Sequence, residues 1–394
     1  MRRLLLFNPS NDMALAVNSL EYLPPLHIQR MESDLAILPL WWAEEDDCVL
    51  MPDNTLRCVN ARVLGSLQEA CSNRSLDGQS LSNIVASMPV VEAQSLVPAP
   101  WGWSNALRRR LLRIGIRPEV MPGESELNDY RQLSSRAFAC EYIHELLSDA
   151  GCMGISSSLV GQGMRMVGDA SVFSCDSQAV TCKSSLIFKT PWSSSGRGVW
   201  VTRPCESIDT KRIQRTIRQQ GHVMVDDFYE DKILDFALEF EVNAAEFALG
   251  KDGGVRFLGY SVFCASDSGN YGYNVVAPQE ELRARILATG LDPYVLDWAV
   301  DYSCRNLARH LCGRYRGCVG IDMLVCNHEG KVKLHPCVEI NLRRNMGILA
   351  LDISRHIRLS DDKLPPVDMV LAGSESQGFS AKLRGEQLYI DSGF

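Results

Sequence analysis

Polar and apolar positions follow two rhythms along this chain, and the change between them divides it. Up to about residue 125, short apolar blocks are broken by polar turns, as in strands that alternate with helices. RRLLLFNPSNDMALA reads as a strand, a polar turn and a helix start, with Asn11 or Asp12 as the cap. DLAILPLWWA and DCVLMP supply further apolar runs, and Cys71 to Asn83 reads as a polar loop. The stretch after it leads into a helix that ends near Gly115, and Pro122 with Gly123 marks a boundary. SSRAFACEYIHELLSDAG then places Phe138, Tyr142 and Leu146 on one helical face beside Ile143, with Gly151 as the stop. SIDTKRIQRTIRQQG predicts an amphipathic helix closed by Gly221.

From there the period shortens to two. Phe236, Leu238, Phe240 and Val242 alternate with Ala237, Glu239 and Glu241, which predicts a half-buried antiparallel strand with GVRFLGYSVFCA as its partner. A helical stretch from Pro278 to Gly313 breaks near Gly290. GCVGIDMLVC and KVKLHPCVEIN are strands joined by the turn NHEG, and the tail from Leu371, rich in Gly and Ser, reads as peripheral. No internal repeat and no GxGxxG after the first strand is found.

Composition narrows the function classes. The 394 residues are 46% hydrophobic and 22% charged, as in a globular chain of two or three subdomains. A net charge of −8 speaks against a nucleic-acid partner, since the one dense basic patch, Arg108 to Arg113, alternates with leucines as on a solvated helix face. No apolar run is long enough to span a bilayer, and the apolar part of MRRLLLF stops too early for a signal peptide. Fourteen scattered cysteines without CxxC or zinc spacing fit reduced thiols in the cytoplasm. Oligomeric state is left open.

Chemistry concentrates in two places. LIFKTPWSSSGRGVWVTR ends an apolar run in Lys189 and continues into a loop, Ser193, Ser194, Ser195, Gly196, Arg197 and Gly198. Such a loop offers backbone N–H donors unobstructed by side chains, and the lysine adds charge, which suits a phosphate chain. It matches neither the Walker pattern nor the kinase glycine loop, and a hairpin with a flexible tip fits it equally. Further on, strand alternation points Glu339 and Asn341 the same way, with Val338 and Ile340 toward the core. If GIDMLV pairs with that strand, Asp322 converges on them, and three hard oxygen ligands suit Mg²⁺. A polar face on an ordinary hairpin is the alternative.

In this order, a lysine, a glycine-rich loop, an acidic hinge, an acidic antiparallel strand and then D…ExN, the chain resembles the ATP-grasp superfamily from about Leu133 to Gly347. The resemblance implies an α/β fold, with a Rossmann-like domain over 1–125 and a two-lobed grasp of antiparallel sheets over 126–360. The lobes would cover about 152–224 and 225–350, with a tail over 361–394. It implies that Lys189 and Arg136 meet the phosphates of ATP and that residues 193–198 close over them. The backbone of Val225, Asp226, Asp227 and Phe228 would read adenine, and Asp235 would hold ribose. Phe188, Val225 and Leu324 would wall the base. Asp322, Glu339 and Asn341 would hold one or two Mg²⁺ ions, or Mn²⁺, with Glu339 bridging.

The sequence departs from the family at four positions. Arg136 stands where many members have lysine, Asp226 and Asp227 where glutamate is common, and Gly320 where ligases often place an arginine. Arg343 and Arg344 are the candidates to bind a developing acyl phosphate. The expected activity is an ATP- and Mg²⁺-dependent ligation of a small-molecule carboxylate to an amine or similar nucleophile. A small-molecule kinase and a non-catalytic nucleotide-binding module are the alternatives. The acceptor would meet Asn11, Asp12, Tyr271, Tyr273 and Asn274, whereas Trp101, Trp103 and His335 read as structural.

Overall fold

A computed structural model of the chain describes residues 2–73, 76–92, 96–175, 178–179, 184–193, 198–243, 254–265, 271–357, 368–373 and 378–392. The chain divides into two compact units. The first holds residues 1–128, 272–282 and 343–394, and the second holds 129–271 and 283–342.

The first unit opens on β1 (Arg3–Leu6), whose leucines are all buried. α1 (Asn11–Val17) and α2 (Leu26–Asp34) follow, and then β2 (Cys48–Leu50) and β3 (Leu56–Cys58). Neither Asn11 nor Asp12 caps α1; Ser10 precedes it, and its side chain makes no capping bond. α3 (Ala61–Ser72) and α4 (Gly78–Ala86) replace most of the loop expected over Cys71 to Asn83. Asp77 accepts from the Ser80 N–H (2.7 Å) and starts α4. β4 (Val90–Val91), β5 (Val97–Pro100) and α5 (Asn105–Arg113) complete an open sheet of order β4-β3-β2-β1-β5. β1 lies parallel to both β2 and β5, so the chain leaves it toward opposite sides of the sheet. α6 (Glu124–Leu133) leads toward the second unit.

The second unit begins with α7 (Arg136–Cys152), which passes through Gly151 instead of stopping there. β6 (Arg165–Val167), the two-residue pair β7 (Ser174–Cys175) and β8 (Gln178–Ala179), β9 (Leu186–Lys189) and β10 (Val199–Thr202) follow. α8 (Thr210–Gln220) ends at Gly221 in a positive-φ conformation (φ 87°), and β11 (Val223–Asp227) comes next. β10-β9-β11-β6 form one antiparallel sheet. β12 (Lys232–Val242) and β13 (Val255–Ala265) begin a second one. The chain crosses into the first unit along β14 (Tyr271–Val275), and α9 (Gln279–Leu287) brings it back. α10 (Pro293–Leu311), β15 (Gly317–His328) and β16 (Lys331–Asn341) complete the second unit, with strands in the order β16-β15-β12-β13. Glu329 and Gly330, both at positive φ, make the β15–β16 turn.

β12 departs from its expected half-buried character. Ala237 and Glu239 are as buried as Phe236, Leu238 and Phe240, so the middle of the strand is covered on both faces. The expected peripheral tail is also absent. After α11 (Met346–His356), β17 (Asp368–Gly373), β18 (Phe379–Arg384) and β19 (Gln387–Ser392) form antiparallel strands that join β14. Leu371, Ala381 and Leu388 enter the same core as Leu5 and Trp41, and Trp41 Nε1 donates to the Leu371 carbonyl (3.1 Å). Alternating apolar residues drive this burial despite the surrounding glycines and serines. Leu371→Ala is expected to destabilise the protein by about 2–5 kcal/mol in urea unfolding. An unchanged midpoint would place the tail outside the core.

Candidate active site

Lys189 is aimed by strand alternation. On β9, Phe188 is buried against Trp200, with which it stacks (5.4 Å), and Phe173, so Ile187 and Lys189 face the other way into a cavity of about 340 Å³. Nζ of Lys189 donates to the Val338 carbonyl (3.2 Å). That carbonyl is available because the β15–β16 ladder slips: Asp322 faces Glu339 but Leu324 faces His335, so residues 336–338 bulge opposite Met323. Burial, followed by the nearby charge of Arg136, holds the Lys189 pKa below the usual lysine range, while Glu339 and Asp226 oppose the shift.

Arg136 is the first residue of α7 and only 4% exposed. Nη1 donates to the Thr190 carbonyl (2.6 Å) and Ser193 Oγ (2.7 Å), and Nη2 to Glu339 Oε1 (2.8 Å). Its backbone N–H donates to Pro191 (3.0 Å). One side chain therefore ties the base of the Ser/Gly loop to the acidic strand. The loop base is closed further by the Thr190 N–H bond to Gly198 (2.9 Å). Gly198 sits at φ +76°, where a Cβ would come within 2.4 Å of Thr190 Oγ1. Trp192 Nε1 donates to the Arg131 carbonyl (2.9 Å) and Arg131 lies 3.9 Å over its ring, which pins this end of the hairpin. Ser194, Ser195, Gly196 and Arg197 lie outside the described residues.

The acidic set forms because β12, β15 and β16 are in register. Ala237, Asp322 and Glu339 make one row across the three strands, and Glu239, Gly320 and Asn341 make the next on the same face. Asn341 Nδ2 donates to Asp322 Oδ2 (3.0 Å). Among the described residues no three His, Cys, Asp or Glu side chains group closely enough to hold a metal. The set is therefore two carboxylates and a carboxamide, a hard-oxygen arrangement that fits Mg²⁺ sharing its shell with phosphate and water. Glu239, buried and hydrogen-bonded by Ser261 Oγ (2.8 Å), adds an acid to this face that alternation had assigned to solvent.

The remaining wall corrects several expectations. Val225 is paired on both sides, with Phe188 and Arg165, and belongs to the apolar core with Phe188. Neither residue lines the cavity. The Phe228 N–H is taken by the Ser185 carbonyl (2.9 Å). The ladder toward β6 stops at Val225, so Asp226 and Asp227 pair with β9 alone, and the Asp227 N–H donates to Asp226 Oδ1 (2.8 Å). Leu324 does line the cavity, with Ile187 and Met323, and Asp235 lies there paired to Lys232 (2.7 Å) while burial raises its pKa. His335, expected to be structural, is a cavity residue whose Nε2 lies 2.8 Å from the buried Asp226 Oδ2. Ile187 was legible from its two-residue spacing to Lys189, and His335 from its four-residue spacing to Glu339 on the same strand.

Other expected site residues fall in the first unit. Arg343 binds Asp12 Oδ2 through Nε (2.8 Å) and Nη2 (2.7 Å). Arg344 pairs with Asp352 and lies 4.4 Å over the Trp42 ring. Asn11 is buried against Gly102, Tyr273 packs on Tyr389 (5.3 Å), and Asn274 is buried. Tyr271 begins β14 and belongs to the second unit.

No protein-family model matches the chain, and no curated protein matches it. Solved structures resemble it distantly. A biotin carboxylase–β,γ-ATP complex from Campylobacter jejuni is 13% identical over 100% of this chain and 92% of that one, with a TM-score of 0.44. A D-alanyl-alanine synthetase A from Vibrio cholerae is 10% identical over 91% and 94%, with a TM-score of 0.39. A pyruvate carboxylase from Rhizobium etli is 13% identical over 57% of this chain, with a TM-score of 0.35, and this chain spans 17% of its length. At these scores the likeness is a loose one of chain course.

Removing Arg136 strips Glu339 and the loop base of their shared donor. Arg136→Ala is expected to cost about 1–3 kcal/mol in urea unfolding, less than a fully buried pair because Glu339 is partly exposed. Arg136→Lys should recover only part of it. Wild-type stability in both variants would contradict this role.

Proposed function

We propose that the second unit binds ATP with Mg²⁺ and uses it to activate a substrate carboxylate, which an amine or similar nucleophile then attacks. On this reading the chain is an ADP-forming, ATP-grasp-type ligase that makes a C–N bond. The observation that carries it is one cavity in which two buried cations, Lys189 and Arg136, stand beside the facing pair Asp322 and Glu339. Scattered cysteines fit a cytoplasmic setting. Among the described residues no helix is long and apolar enough to cross a membrane.

Charge explains why both signs are needed. Four cationic and six carboxylate side chains line the cavity, so a bare polyphosphate would meet net repulsion. Asp322, Glu339 and Asn341 would hold Mg²⁺, which when bound neutralises phosphate charge and polarises the γ-phosphoryl group. Lys189 meets the phosphates as a point charge, prepared by burial that weakens its hold on water. Arg136 holds the loop base in place and offers its fork to the same phosphates. Ile187 and Leu324 wall the base. Asp235 takes the ribose, with Lys232 bonded to its carboxylate (2.7 Å).

The carboxylate oxygen attacks the γ-phosphorus and the bond to ADP breaks. The nucleophile then adds to the acyl phosphate carbonyl and phosphate leaves. Arg343, one of the two arginines assigned to the acid substrate, is paired with Asp12 within the first unit. Arg344 is held by Trp42 and Asp352 as part of the scaffold.

Lys189→Ala is expected to weaken ATP binding at least about tenfold, the loss of one charged contact. Glu339→Gln should remove Mg²⁺-dependent turnover with a smaller loss of ATP affinity. Equilibrium dialysis with ATP, and incubation of metabolite pools with ATP and Mg²⁺ while following phosphate and new masses, check both. A ligated mass with free phosphate supports the ligase, whereas a phosphorylated mass without phosphate release makes the protein a kinase. Unchanged ATP affinity in Lys189→Ala would remove the loop from the site.

A further inference from the structure

The first unit contains a larger cavity, about 700 Å³, built by the open sheet. Its floor is formed by the C-terminal ends of β1 and β2, at Leu6 and Leu50, and by Ser104 and Leu107 beyond β5. Because β1 lies parallel to a neighbour on each side, connections depart in opposite directions and leave a crevice there, the usual ligand position in such sheets. Its volume is that of a small-molecule site.

Two charged side chains, Glu32 and Arg110, line this cavity with no counter-ion in contact among the described residues. Glu32 accepts from the Ser10 N–H (3.2 Å) and Ser10 Oγ (2.5 Å), both at Oε1, and no cation contacts it. Burial, its largest influence, raises the Glu32 pKa. Arg110 donates through Nε (3.3 Å) and Nη2 (2.9 Å) to the neutral Asn54 carboxamide, and no carboxylate contacts it. Burial lowers the Arg110 pKa, and the two charges act on each other only at longer range. An acid and a base that share a cavity, each without a counter-ion in contact, are costly unless a ligand supplies both. Around the mouth, Leu20 and Leu23 line the same cavity and stay exposed, Leu23 at 78%. Apolar side chains stand beside the charged groups.

We infer that this cavity binds a free α-amino acid with an apolar side chain. Its ammonium goes to Glu32, its carboxylate to Arg110, and its side chain to Leu20 and Leu23. A zwitterion matches both charges at once, which neither a simple acid nor a simple amine does. The site stands on residues of the first unit alone and holds whether or not the second unit is a ligase.

The test uses the full chain without nucleotide. The proteinogenic amino acids at millimolar concentration are screened for a rise in melting temperature, and L-leucine is then titrated calorimetrically. Saturable binding of leucine is expected. 4-Methylpentanoate, which lacks the ammonium, and 3-methylbutylamine, which lacks the carboxylate, should each bind at least about tenfold more weakly. Glu32→Gln and Arg110→Gln should weaken leucine by a similar factor while ATP affinity stays unchanged. The inference is overturned if no amino acid raises the melting temperature, if either analogue binds as tightly as leucine, or if both variants bind leucine like the wild type. The analogue comparison needs only the wild-type protein, so it stands even if a variant misfolds.

Discussion

Much of the second unit depends on one guanidinium. Arg136 bonds to Thr190, Ser193 and Glu339, and so joins the helix it starts, the loop after Lys189 and the strand that carries the acids. A lysine ammonium is compact and could not hold three acceptors in this planar arrangement, which gives the arginine here a physical reason. The guanidinium also adds a second buried cation beside Lys189. Such a pair is stable only because Glu339, Asp226 and the Val338 carbonyl stand around it. A polyanionic ligand such as the proposed nucleotide would relieve the same repulsion.

Pairing distinguishes scaffold from binding surface in the first unit as well. Arg343 with Asp12 and Arg344 with Asp352 are neutralised in contact, and Arg344 is covered by Trp42. Glu32 and Arg110 are not. The difference is not visible in the sequence, where all of these are ordinary charged residues near apolar runs. It depends on which strand ends meet at the sheet crevice.

The features legible in the sequence were those set by local period. Alternation placed Glu339 and Asn341 on one face, and the NHEG turn fixed the register as far as Leu324 opposite His335; the bulge beyond it brings Asp322 opposite Glu339. The helices around Phe138 and Ile213 followed from their apolar spacing. What stayed hidden was set by tertiary cover or by breaks in the ladder. Glu239 alternates like a solvent-facing residue, yet its face turns toward the acidic rows. The bulge at 336–338 offers the Val338 carbonyl to Lys189. Phe188 adjoins Lys189, but adjacent residues on a strand face opposite ways, and Ile187 is the one that lines the cavity. The tail was judged by its glycines, whereas the leucines between them decide its burial.

The most direct measurement is a crystal structure of the full chain with a non-hydrolysable ATP analogue and Mg²⁺. The account predicts the base against Ile187 and Leu324, the phosphates against Lys189 and Arg136, and the metal ligated by Asp322, Glu339 and the Asn341 side-chain oxygen. A nucleotide bound elsewhere, or a metal held without Asp322 and Glu339, would contradict it.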